Sequence, residues 1–284
     1  MRHARLQIMI YTLLLITGAG AYAQQTQTMY LSGTGSDHTV NWHFYCTAGR
    51  NSGKWTTIPV PSNWELQGFG KYNYGLDKDS LKGTEKGLYK YSFRVPASWR
   101  GKAVNIVFEG SMTDTEVKLN GKSAGPVHQG SFYRFKYDIS SLLNYGASNT
   151  LEVTVAKQSA NASVNAAERK GDFWIFGGIY RPVYLEAMPH AHISYWAVDA
   201  RADGSFKAQV KLASAGAGRV TGQVYTLAGQ KVGAPFAAKI APGDTSVMLK
   251  THIASPKLWS PEFPNLYNVV FSYQSAGKNI HTVK

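Results

Sequence analysis

Residues 116–125 read EVKLNGKSAG. Asn120-Gly121 is the dipeptide favoured in a two-residue hairpin loop, because both central positions of that turn must adopt positive φ. A hairpin here makes its flanks strands, and a period of two extends outward from it. Upstream, Tyr89, Tyr91, Phe93 and Val95 alternate with polar neighbours, as do Val104, Ile106 and Phe108; downstream, Leu151, Val153 and Val155 do the same. That spacing places alternate side chains on one face of a half-buried strand. Helical periodicity is absent over any useful window outside the N-terminal leader, apart from one turn near 138–146, DISSLLNYG. The chain therefore reads as all-β, with the short, Gly/Pro-punctuated strands of sandwiches or jelly rolls rather than βαβ units.

A second period-two system follows residues 188–193, MPHAHI. It comprises Phe206, Ala208, Val210 and Leu212; Val220, Gly222 and Val224; Val247, Leu249, Thr251 and Ile253; and Tyr267, Val269, Phe271 and Tyr273. About ninety residues of such strands match the size of an immunoglobulin-like sandwich. The expected boundary lies near Pro189, dividing a first unit at 24–189 from a second at 190–284. With 284 residues, 44% of them hydrophobic, the chain can fill two cores.

The first residues set the expected compartment. MRHAR is a short basic start, QIMIYTLLLIT is too short to span a bilayer comfortably, and AYA at 21–23 is a small-x-small cleavage site. A signal peptide over 1–23 predicts a secreted or periplasmic protein beginning at Gln24. No cysteine follows the cleavage site, so no lipid anchor is expected, and no later apolar run is long enough to span a membrane. Cys46 is the sole cysteine, so no intramolecular disulfide can form and stability must come from packing. The sequon at Asn161-Ala162-Ser163 reads as a chance match.

The formal charge of +13 raises the question of nucleic acid. Lys71, Lys78, Lys82, Lys86 and Lys90 are scattered rather than gathered in a block or helix that would grip a duplex, so no nucleic-acid partner is expected. Aromatic residues make up 13% of the chain, enough to serve as stacking surfaces for sugars or bases as well as core.

One further stretch, 171–186, reads GDFWIFGGIYRPVYLE. Asp172 sits among Phe173, Trp174 and Phe176, ahead of a glycine pair that marks a tight corner. An acid placed there either caps a turn or faces a ligand.

Six motifs occur in order: VPSNWELQGFGKYNYG, GLYKYSFRVPASW, IVFEGSMTDTEVKLNGKSAG, HQGSFYRFKYDIS, GDFWIFGGIYRPVYLE and LWSPEFPNLYNV. Together they resemble the N-terminal half of glycoside hydrolase family 2, the family of β-galactosidases, β-glucuronidases and β-mannosidases. The resemblance implies a jelly-roll sugar-binding domain, an immunoglobulin-like sandwich and then a (β/α)8 barrel with two catalytic glutamates. The sequence ends at Lys284, about where that barrel would begin, so the expected partners are a β-glycoside carbohydrate and a catalytic barrel domain.

By motif match, Asp172 corresponds to the acid on a first-domain loop that contacts sugar hydroxyls. A turn-capping acid is the alternative. Asn73 aligns with an asparagine on another substrate-contacting loop, although Tyr72, Tyr74 and Gly75 fit an ordinary turn equally well. The resemblance makes Arg181 a structural arginine paired with a carboxylate, and Trp174 is expected to pack the corner rather than to offer a stacking surface.

Retaining glycoside hydrolysis needs two carboxyls about 5–5.5 Å apart. Glu109, Glu116, Glu152 and Glu186 fall on solvent faces of strands, while Glu65 and Glu262 sit in motifs that read as structural corners. No catalytic residue is assigned. His190 and His192 could share a face but lack a third ligand, so no metal site is assigned and no cofactor is expected. The expected function is the sugar-shaping, non-catalytic part of a glycosidase, with a free-standing lectin-like protein as the alternative.

Overall fold

The computed structural model describes residues 24–284. The leader expected over 1–23 lies outside the described residues. The chain forms two β-sandwiches in succession, and apart from one parallel pairing its ladders between named strands are antiparallel. The fold is that of a jelly roll followed by an immunoglobulin-like sandwich, and the described residues contain no (β/α)8 barrel.

In the first unit a six-stranded sheet runs in the order Trp55–Val60, Val40–Cys46, Lys86–Arg94, Ser148–Ala156, Thr115–Leu119, Lys122–Ser123. It faces a four-stranded sheet ordered Phe135–Asp138, Ala103–Phe108, Val183–Met188, Gln27–Tyr30. Alternation does the sorting. Leu151, Val153 and Val155 point inward, while Glu152 points out and meets its register partner Lys90 at 3.0 Å. The core between the sheets holds Trp42, Phe44, Tyr89, Ile106 and Phe108, all 2% exposed or less. Each such ring or branched chain contributes about 1.5–3 kcal/mol on burial.

The hairpin forms as its dipeptide dictates. Asn120 and Gly121 take φ of 52° and 77°, and Leu119 pairs with Lys122. The expected turn near 138–146 is a turn without a helix.

The sequence reading missed the helix Ala162–Glu168. Asn161 caps it, its side chain accepting the Ser163 N–H at 3.0 Å. The sequon at that point therefore coincides with a helix start, where asparagine is favoured because it satisfies an otherwise orphaned amide.

The second unit packs the sheet His192–Ala200, Ser205–Ala213, Ser246–His252 against a five-stranded one. Phe206, Val210, Val220, Phe271 and Tyr273 fill the space between them. The five-stranded sheet has Gln24–Gln25 at its edge, paired in parallel with Lys278–Val283, so the start of the described chain adds a strand to the second unit before entering the first. Thr26 and His281 meet at this crossing, Oγ1 to Nε2 at 3.1 Å.

Candidate functional site

At one edge of the jelly roll two loop segments zip into a small ribbon. Asn73–Tyr74 pairs antiparallel with Trp174–Ile175, and Gly75 N–H continues the ladder to the Phe173 carbonyl at 2.8 Å. The loops approach so closely that a Cβ on Gly75 would lie 2.3 Å from the Gly171 oxygen.

The ribbon raises a wall of rings. Trp174 stands edge-on to Tyr74 at 5.4 Å and to Tyr72 at 6.0 Å, while Tyr72 meets Phe176 at 6.1 Å. The Arg50 guanidinium lies over the Tyr72 ring at 4.9 Å. Trp174 is 57% exposed, so it does not pack the corner as expected. Trp64 does that instead: it is fully buried, and a Cβ on Gly177 would come 2.1 Å from its Cζ2.

Asp172 is exposed beside this wall, and among the described residues no donor lies within hydrogen-bond distance of its carboxylate. The turn-capping job in this ribbon belongs to Asp77, whose Oδ2 accepts the Tyr74 N–H at 2.8 Å. Asn73 is 2% exposed. Its Oδ1 accepts Gly83 N–H at 2.6 Å and its Nδ2 donates to the Leu81 carbonyl at 2.9 Å, so its amide holds the 73–83 loop in shape.

Beneath the ribbon lies a sealed ionic cluster. The Lys157 ammonium is fully buried and contacts Glu65 Oε1 at 2.7 Å and Glu85 Oε1 at 3.1 Å, and it also donates to the Lys71 carbonyl. Glu65 in turn accepts the Gly177 N–H on both oxygens, at 3.1 and 3.0 Å, and Glu85 accepts the Lys71 N–H at 2.9 Å. One arm of the ribbon is thus anchored through Glu65 and the other through Glu85, with Lys157 joining them. Burial raises the Glu65 carboxyl above its ordinary value, while the Lys157 ammonium and the Gly177 amide oppose the rise. Glu65 is a structural corner residue, as its motif implied.

These two glutamates meet at one ammonium, yet 1% and 2% exposure and that shared ammonium bar them from substrate. What the ribbon offers is a set of exposed or half-exposed rings beside a carboxylate that no donor among the described residues occupies, the kind of surface that can accept O–H groups in charge-assisted bonds.

Two expectations need correction. Arg181 makes no ion pair among the described residues; it stacks over Tyr180 at 5.0 Å and reaches the Glu109 carbonyl at 3.5 Å. The Glu109 carboxylate is already occupied by Arg134 at 2.8 Å and the Tyr184 hydroxyl at 2.6 Å. His190 and His192 do not share a face. His190 is exposed, whereas the bend before the strand turns His192 inward, its Nδ1 bonded to the Pro189 carbonyl at 2.9 Å.

The two units match two family models. Residues 41–189 match that of glycosyl hydrolases family 2, sugar binding domain, and residues 188–284 match that of glycosyl hydrolases family 2. A β-galactosidase of Priestia megaterium is 31% identical over 252 residues, which is 80% of this chain and 24% of that protein. A β-glucuronidase of Bacteroides fragilis is 27% identical over 262 residues, 86% of this chain and 36% of that protein. In shape, the crystal structure of a Bacteroides uniformis β-glucuronidase superposes with a TM-score of 0.71 at 22% identity, over 91% of this chain and 32% of that one. The chain spans about a quarter to a third of the length of these relatives.

Proposed function

The chain belongs to glycosyl hydrolase family 2, and from that premise we propose that it is the sugar-pocket part of a secreted β-galactosidase- or β-glucuronidase-type enzyme. It supplies Asp172 and the Tyr72, Trp174 and Phe176 rings to a β-glycoside, and none of the bond-breaking carboxyls. The observation that carries the reading is the Asp172 carboxylate. It lies exposed and without a donor among the described residues, in a ribbon where Asn73 and Asp77 are both committed to backbone. A capping acid would have spent its oxygens on nearby amides.

The non-catalytic reading rests on the sealed state of Glu65 and Glu85: acid–base work requires a group within hydrogen-bond reach of substrate. Export rests on the basic start, short apolar core and AYA site of residues 1–23. No helix among the described residues is long and apolar enough to cross a membrane.

The test is Asp172→Asn, measured two ways. In the chain alone, the change should move stability by less than about 0.5 kcal/mol, since nothing in the fold leans on the charge. Joined to a catalytic barrel, the same change should lower kcat/KM by about tenfold or more, the loss of roughly 1.4 kcal/mol of transition-state binding. Unchanged kinetics with a lowered melting midpoint would make Asp172 architecture. Micromolar binding of a galactoside or glucuronide to the chain alone would favour a lectin-like protein instead.

A further inference from the structure

The strand His192–Ala200 reads HISYWAVDA and lies at the edge of its sheet, paired on one side only, with Ser205–Ala213. Its start is tied down, the Ile193 N–H donating to His281 Nδ1 at 3.2 Å, but from 195 to 200 its open side makes no backbone hydrogen bond among the described residues. Such an edge is a template for another strand, and folds blunt it with lysine, proline or irregular backbone. The edge strand Lys231–Ile240 of the facing sheet has Lys231, Pro235 and Lys239. The strand 192–200 has neither residue type. Its one acid is Asp199, and its register with Ser205–Ala213 is regular beyond the bulge at 193–195.

Its core-facing side chains are uncovered as well. Trp196, Val198 and Ala200 stand opposite Val210, Ala208 and Phe206, all three buried in the core, yet Trp196 is 36% and Val198 45% exposed. Val198 and Ala200 continue into an apolar cleft of about 460 Å3 whose outer lip is Leu258, Trp259 and Leu266, each more than half exposed. Together these side chains expose on the order of 500 Å2, the size of apolar patch that marks an interaction site. With the open strand edge and Tyr195 added, the surface approaches the roughly 800 Å2 per partner of a stable complex.

We propose that this face pairs with the same face of a second copy of the chain, strand 192–200 against strand 192–200, antiparallel about a two-fold axis through Ala197. An isologous contact requires a self-complementary surface, and this register provides one. Only an axis through a residue keeps the two core faces on the same side, because side chains alternate with a period of two. With Ala197 on the axis, Trp196 of each copy lies opposite Val198 of the other and diagonal to its Ala200, at the mouth of the cleft. An aromatic ring against a β-branched chain is a favourable cross-strand pair. On the other face Asp199 of each copy lies opposite Tyr195 of the other, whose ring carries the Lys211 ammonium at 5.5 Å, so acid meets base twice. Axes through Trp196 or Val198 set Asp199 opposite Ile193 or Ala197 and lose that contact. A two-fold contact closes on itself, so it yields dimers and nothing larger. The surface uses none of the ribbon's side chains, and it can fail while the Asp172 reading holds.

The experiment is sedimentation equilibrium of the purified chain over a concentration series, beside cysteine cross-linking. The mass should rise from one chain to two and stop there. Directly opposed residues of an antiparallel pair have Cα atoms about 4.5–5.5 Å apart, within reach of a disulfide, and Ala197 is the position that meets itself. Ala197→Cys oxidised with diamide should therefore form a covalent dimer about tenfold faster than Ala241→Cys, at an exposed turn of the same unit; the native Cys46 is buried and does not compete. Val198→Lys, at an exposed position, should weaken dimerisation about tenfold with the urea midpoint unchanged, since it sets a charge against the Trp196 ring of the other copy's apolar face. Should that variant lower the midpoint, the cysteine pair reads the contact by itself. Asp199→Lys should weaken the dimer by a smaller factor, and Lys211→Asp in that background should restore it. The proposal is overturned if the chain stays monomeric up to roughly 100 μM, which would leave the face to a different macromolecule, if it assembles beyond two copies, or if Ala197→Cys cross-links no faster than Ala241→Cys.

Discussion

Lys157→Met isolates the device that holds the ribbon. The side chain is fully buried and bridges Glu65 and Glu85 at 2.7 and 3.1 Å. Methionine keeps the length of the stem and removes the charge, leaving two buried carboxylates without their counter-ion. Breaking a buried pair by removing one partner costs about 3–5 kcal/mol, because the surviving charge has neither water nor a mate. At a urea slope of about 2 kcal/mol/M, that lowers the midpoint of the jelly-roll transition by roughly 1.5–2.5 M, with the second sandwich unaffected.

The pH dependence supplies a second check on the same variant. Burial raises the Glu65 pKa, so in the pH window between the ordinary carboxylate value and the raised one the folded chain binds more proton than the unfolded chain, and stability falls as pH rises through that window. Without the opposing ammonium this slope should steepen, and the deficit of the variant should shrink as pH is lowered towards about 5. Replacing both glutamates with glutamine in the Lys157→Met background should recover much of the loss, since a neutral amide still accepts the Gly177 N–H. Urea melts followed by tryptophan fluorescence read all three. A loss below about 1 kcal/mol, the scale of an exposed pair, or a deficit that grows in acid would refute the reasoning.

Three further outcomes follow from local geometry. Burial first, and then the neighbouring His192, lower His281 from 6.5 to about 4; its stabilisation is therefore complete above 6.5 and lost as pH falls from there towards 4, on the order of 3 kcal/mol. The second sandwich should lose stability over that window and His281→Gln should flatten the loss; a flat midpoint in the parent chain contradicts the assignment. Gly177→Ala drives a Cβ to 2.1 Å from Trp64 Cζ2 and should lower stability by about 3 kcal/mol, so a thermal melt within about 1 kcal/mol of the parent would show that the corner yields. Asn161→Ala removes the cap on the Ser163 amide and should cost about 1 kcal/mol, seen as faster hydrogen exchange in the helix Ala162–Glu168 while the sheets stay protected.

Much of the fold was legible along the chain. The positive-φ dipeptide at Asn120-Gly121 and the alternation through Leu151, Val153 and Val155 specify a hairpin and a buried face by local sterics and solvent exposure alone. The helix after Asn161 escaped because it is seven residues long with no buried residue, and so leaves no apolar period in the sequence. His192 escaped because a bend, and not a strand, precedes it. The ionic cluster carried a readable signal that was passed over. Counting by twos from Leu151, Val153 and Val155 brings Lys157 inward, and counting back from Tyr89 and Gly87 brings Glu85 inward, charges at positions where the period demands burial.

Sequence by itself determined the strands, the turns, the two cores and the presence of an acid beside the ringed corner, because each depends on neighbours a few residues away. Tertiary structure alone decided which acid does what. Glu65 and Asp172 are separated by more than a hundred positions yet serve the same ribbon. Glu65 is drawn under it to meet the Gly177 amide and Lys157, and Asp172 is left outside with its oxygens free of any donor among the described residues. The division follows from dielectric and reach. A charge can be buried only where the chain brings it a partner within about 3 Å, and such partners are set by the packing of the two sheets.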